Sequence, residues 1–171
     1  MSSSYETAVA GVTLRFATAA DTATIFNFIR DLAEYEKMTD DVVADEATLR
    51  RSLFEGRPVA EVVLAEDRGT PVGFALFFHN FSTFLGRPGI YLEDLFVRPA
   101  ERGRGIGKAM LVFLAGLTVE RGGGRLEWSV LDWNTPAIGF YENLGARAME
   151  GWTVFRLTGP ALEDLAADLR D

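Results

Sequence analysis

The chain has 171 residues, enough for one domain with a sizeable core and too few for two ordinary ones. Apolar residues make up 48% and charged residues 25%, a globular balance that argues against disorder across the whole chain. The net charge of −8 offers no overall basic face for nucleic acid, and the lack of cysteine excludes disulfides, thiolate metal sites and a cysteine nucleophile.

No apolar run reaches the roughly 18 residues that a membrane span needs. The opening MSSSYETAVAG lacks the basic-then-apolar order of a signal peptide. Residues 1–11 therefore read as a flexible lead-in and 12–171 as the folded domain. VTLRF, residues 12–16, alternates and reads as a strand. Thr18 and Asp21 resemble a capping box with a shortened acid, and Ile25, Phe28, Ile29 and Leu32 then follow helical spacing to about Glu36. A second helix is predicted over 46–54. Strands follow over 61–66 and 72–78, with Gly69 and Pro71 marking the turn between them. His79, the only histidine, ends this run and reads as a structural or rim residue.

Residues 89–97, GIYLEDLFV, form the next predicted strand. A helix whose apolar face holds Ile106, Met110, Phe113 and Leu117 runs up to the Gly122–Gly124 stop. A strand is predicted over 126–131. A helix opens at Thr135-Pro136 and closes at Gly145. A last strand is predicted over 151–157, then an amphipathic helix through Leu162, Leu165 and Leu169. Early hairpins and a late β-α-β unit imply one α/β (α+β) domain, a mixed sheet with helices on both faces.

The chemistry concentrates in RGRGIGK, residues 102–108. Glycines before a helix let backbone amides approach an anion at the positive end of the dipole, and Arg102, Arg104 and Lys108 add charge. The ATP-type phosphate loop fails: Arg102 stands where its first glycine belongs, and Ala109 replaces the hydroxyl residue. The dinucleotide fingerprint fails too, because Gly103, Gly105 and Gly107 are spaced GxGxG. An ordinary glycine turn remains open on the glycines alone.

Arg102-x-x-Gly105-x-Gly107 after an apolar strand resembles the acetyl-CoA pyrophosphate loop of the GNAT superfamily of N-acetyltransferases. RFATAADTATIFNFIRDLAEYEKM, YLEDLFVRPAERGRGIG, DWNTPAIGFYENLGA and EGW together are similar to its diamine (spermidine/spermine) acetyltransferase branch. The resemblance implies a mostly antiparallel sheet, splayed at the cofactor site. It implies acetyl-CoA held by Arg102, Gly103, Arg104, Gly105, Ile106, Gly107 and Lys108, with its arm along Leu95, Phe96 and Val97 and near Asn134 and Pro136. No metal is implied.

Acetyl transfer to an amine requires loss of the ammonium proton, stabilisation of the thioester oxygen and a proton donor for the leaving sulfur. The resemblance makes Tyr141 that donor and Glu93 a base acting through water. On spacing alone Tyr141 reads as a core residue, on one helical face with Ile138 and Leu144. Glu93 and Asp94 are adjacent, so in a regular strand they point to opposite faces. Tyr35, Glu36, Asp94, Glu150 and Trp152 match the branch's substrate region, where several acids suit a cationic amine. Glu127 stands where the diamine enzymes usually carry a histidine, and Leu95 replaces an aromatic residue. These departures leave the amine open. The implied activity is acetyl-CoA-dependent N-acetylation of a small cationic amine, polyamine-like or thialysine/lysine-like, by a cytoplasmic homodimer with no nucleic-acid or membrane partner. The alternatives are acetylation of a protein lysine or N-terminus, and a non-catalytic acetyl-CoA-binding module.

Overall fold

The computed structural model describes residues 4–169. They fall into two units, up to Ser129 and from Val130 onward. The first unit holds strands β1 (Ser4–Glu6), β2 (Val12–Phe16), β3 (Glu61–Asp67), β4 (Thr70–Ser82), β5 (Arg87–Val97) and β6 (Leu126–Trp128), with helices α1 (Thr22–Glu36), α2 (Glu46–Phe54) and α3 (Ile106–Glu120). The second holds helices α4 (Thr135–Asn143) and α5 (Gly159–Ala167).

The six strands lie in sequence order, antiparallel except for the parallel pair β5–β6. The sheet separates two apolar layers. Leu64 and Phe74 are paired across β3 and β4, and they pack with Ile25, Phe28 and Leu53 of α1 and α2. The rings of Phe28 and Phe74 stack at 5.5 Å. On the other face Phe113 of α3 meets Tyr5 and Phe16 edge-on, at 4.8 and 5.9 Å. α1 begins where the sequence signals it: Asp21 accepts from the Thr18 amide and hydroxyl. Asp21 also pairs with Arg15 at 2.8 Å, which holds its carboxyl down at about 2. Arg15 meets Glu66 as well. Among the described residues no helix is long and apolar enough to cross a membrane.

Three expectations need correction. Ser4–Glu6 pairs with β2, where the sequence suggested a lead-in without structure; Met1 to Ser3 lie outside the described residues. β6 stops at Trp128 rather than at 131. Residues 151–157 alternate like a strand but belong to no ladder among the described residues. Alternation marks a segment able to pair, whereas a strand forms only with a partner. Within the second unit, Asn134 caps α4 by accepting from the Ala137 amide, and Gly145 closes the helix with φ +88°.

Candidate active site

β5 supplies the centre of the site, because its two halves are bonded differently. Ile90–Leu92 lies between β4 on one side and β6 on the other. Beyond Leu92 only β4 remains paired among the described residues. The Arg98 amide donates to the Val72 carbonyl at 2.9 Å. Alternate residues of an antiparallel strand aim their amides and carbonyls at the same neighbour. Phe96 therefore faces β4, and Leu95 and Val97 turn their backbone groups to the opposite, open edge.

The glycine loop follows directly. Gly103 and Gly105 hold φ of +79° and +89°, a region that side-chain-bearing residues rarely enter, and Gly105 is the residue preceding α3. The Ala109 amide bonds to the Gly105 carbonyl at 2.9 Å. The amides of Ile106, Gly107 and Lys108 thus precede the first full helical bond and lack intrahelical acceptors. Free amides at a helix N-terminus beside an open strand edge make a place where an anion can bind.

The cations of the loop differ from one another. Arg104 is paired with Asp67 at 2.8 Å and with Glu101, so its charge is already balanced within the chain. Arg102 lies over two rings, 4.6 Å from the centroid of Tyr35 and 5.4 Å from that of Phe96, and its Nε donates to the Val97 carbonyl at 2.9 Å. Lys108 is exposed on the first turn of α3.

The acids gather on the α1 side. A register shift between Leu76 and Phe77 leaves Glu93 as an extra residue: Leu92 pairs with Phe77, and Asp94 with Leu76. Such a bulge breaks the two-residue period. Without it Leu92 and Asp94 would share a face. With it, Leu92 stays on the α3 side and Asp94 turns to the α1 side beside Leu76, where α1 ends in Tyr35 and Glu36. The sequence rule that adjacent strand residues serve opposite faces misses this, because it assumes a regular ladder. The consequence is electrostatic. Burial, then the charges of Glu93 and Glu36, push the Asp94 carboxyl up to about 6. Burial also raises Glu36. Three carboxyls crowd one place and no ion pair balances Asp94 among the described residues, which suits a cationic ligand. Sequence reading placed Glu93 first; the carboxyl that burial pushes up is that of Asp94.

Glu127 is engaged elsewhere. It accepts from Asn80 Nδ2 at 2.7 Å and pairs with Arg125 at 2.8 Å. Nearby, Tyr91 and Ser129 share a hydrogen bond of 2.6 Å. His79 sits on the rim as expected, 3.2 Å from Arg121, which pairs with Glu61. Tyr141, with its ring 5.3 Å from that of Phe140, lies on α4 in the second unit together with Asn134 and Pro136. Glu150 and Trp152 are exposed in the segment after α4. Among the described residues no group of three acids and histidines could hold a metal.

Comparison with known proteins agrees with this frame. Residues 24–146 match the Acetyltransferase (GNAT) family. The chain is 38% identical to a thialysine N-epsilon-acetyltransferase of Sus scrofa, an alignment covering 92% of this chain and 99% of the relative. It is 33% identical to an L-ornithine N5-acetyltransferase of Arabidopsis thaliana, covering 88% and 86%. An integron cassette protein from the V. cholerae mobile metagenome has a similar structure, with a TM-score of 0.77 at 26% identity over 91% of this chain and 98% of that one. The anion loop beside an open strand, the fold and these similarities converge: the chain belongs to the GNAT family and is an N-acetyltransferase.

Proposed function

We propose that the protein moves an acetyl group from acetyl-CoA to a primary amine of a small cationic substrate, polyamine-like or thialysine/lysine-like. The observation that carries this reading is the cluster of Glu36, Glu93 and Asp94, with Asp94 pushed up to about 6 by burial and by its two neighbours. Such a cluster is relieved by a cation, and the relatives that act on thialysine and ornithine point to amines of this kind.

Acetyl-CoA supplies an activated acetyl group as a thioester. The amides of Gly103 to Lys108, with Arg102 and Lys108, hold its diphosphate. The backbone groups of Leu95 and the amide of Val97 would line its arm, and the Leu95 amide would be the donor for the thioester oxygen. Asn134 and Pro136 complete the cofactor side by the family's pattern. Glu36 and Asp94 hold the ammonium end of the substrate, with Tyr35 packing on its methylenes; Glu150 and Trp152 are assigned to substrate binding by the family's pattern alone. Glu127, already bonded to Asn80 and Arg125, orients neighbours rather than meeting the amine directly. The Glu93 carboxylate takes the ammonium proton through water, freeing the lone pair that attacks. By the family's pattern the Tyr141 hydroxyl would supply the proton for the departing sulfur and recover one from the acetylated nitrogen.

The test is CoA release from acetyl-CoA across spermidine, spermine, putrescine, thialysine, ornithine, lysine and a few basic peptides, with products confirmed by mass. A preference for one small diamine or amino acid is the expected result. Turnover confined to the peptides sinks the small-amine assignment.

A further inference from the structure

Arg102 touches both halves of the site. Its guanidinium covers the Tyr35 ring at 4.6 Å, and Tyr35 is followed by Glu36 at the end of α1. Its Nε holds the Val97 carbonyl at 2.9 Å, on the strand edge and at the mouth of the anion loop. Phe96, 5.4 Å away, backs the same group. Two physical consequences follow. A cationic amine arriving beside Tyr35 and Glu36 meets a like charge and competes with it for the ring face. A diphosphate on the loop forms charge-assisted bonds with that same guanidinium and cancels its charge.

Resting on the acetyltransferase reading, we propose that Arg102 couples the two ligands: the diphosphate of the cofactor neutralises the Arg102 guanidinium and draws it from Tyr35, so that cofactor binding strengthens binding of the amine. Arg102 is then more than a phosphate contact. Acting through Tyr35, it is a positioning residue for the amine. Linkage makes the effect reciprocal, so the amine tightens the cofactor by the same factor. Since Arg102 is exposed, salt weakens the coupling.

The test is calorimetric titration of thialysine into the full chain, with and without saturating CoA, which carries the diphosphate but no acetyl group to transfer. In the wild type, CoA tightens thialysine binding by at least about fivefold, the low end of ordinary coupling between sites. Arg102→Ala binds thialysine without CoA about as tightly as the wild type does with it, and its ratio falls to near one. A gain of affinity is a readout that simple structural damage does not produce. Arg102→Lys, which keeps the charge, restores part of the ratio. A wild-type ratio of one in a chain that still acetylates thialysine overturns the coupling and leaves the acetyltransferase reading standing. An unchanged ratio in Arg102→Ala overturns it as well. A chain that acetylates no amine of the panel removes both.

Discussion

The glycine loop and the acidic end of α1 lie on either side of the same few residues of β5, yet they are built by opposite means. The loop attracts an anion with backbone groups: two glycines in positive φ, three amides ahead of the first helical bond and a strand edge that has no neighbour among the described residues. The acidic region attracts a cation with side chains, brought together by one irregular residue in a strand. A site made of backbone tolerates ordinary side chains around it, which is why Leu95 and Val97 look unremarkable in sequence. A site made of side chains fails when one of them is turned or neutralised.

The largest effect lies in neither region. Tyr141→Phe is expected to lower kcat by about 10²- to 10⁴-fold, the range of a single proton-transfer group, while CoA affinity stays within about twofold of wild type, below the size of a lost charged contact. Unchanged turnover removes Tyr141 from the chemistry.

Next is Asp94→Asn, which strikes the acidic side alone. The KM for the amine should rise about tenfold or more, as for loss of one charged partner, with the KM for acetyl-CoA unchanged. Stability sharpens the comparison. The folded chain keeps the Asp94 proton up to about 6, against an ordinary value of 3.8. Between those values the folded state binds more protons than the unfolded one. The stability associated with the protonated carboxyl is thus fully present below about pH 4 and is lost as pH rises through 6. Asp94→Asn should therefore raise Tm at pH 8 and leave it nearly unchanged at pH 4, with a gain at the higher pH of about 1–3 kcal/mol. Equal shifts at both pH values would show that the carboxyl is not strained by its neighbours.

The smallest effect is expected on the loop. Arg104→Ala should change CoA affinity by less than about threefold, because the guanidinium is held by Asp67 and Glu101 and exposed ion pairs are exchanged at little cost. A tenfold loss would mean that Arg104 leaves both acids for the diphosphate.

Much of the fold was legible because it is local. VTLRF, the Thr18–Asp21 cap and the helix over 46–54 coincide with elements of the structure, each set by spacing within a few residues. The loop was legible for the same reason. What was hidden depends on distant partners. The pairing of Arg104 with Asp67 spans 37 positions. The hydrogen bond that holds Glu127 comes from Asn80 on another strand. The ladder that residues 151–157 would need lies outside their own sequence, and Ser4–Glu6 becomes a strand only because β2 is there to receive it. The bulge at Glu93 is the sharpest case, since nothing in YLEDLFV departs from a regular strand pattern.

That bulge also changes what a deletion would mean. Removing Glu93 would shorten β5 by the one residue that has no opposite number, and the hydrogen-bonded ladder would close into regular register. By the usual criteria of backbone geometry the sheet would be improved. Leu92 and Asp94 would then be neighbours opposite Phe77 and Leu76, so the carboxyl of Asp94 would stay on the α1 side and only the Glu93 carboxyl would be lost from the cluster. The irregularity works as a phase marker in the chain: a comparison with a regular strand keeps Asp94 opposite Leu76 only if it places a gap at Glu93, and without that gap the residues beyond are assigned to the wrong side of the sheet.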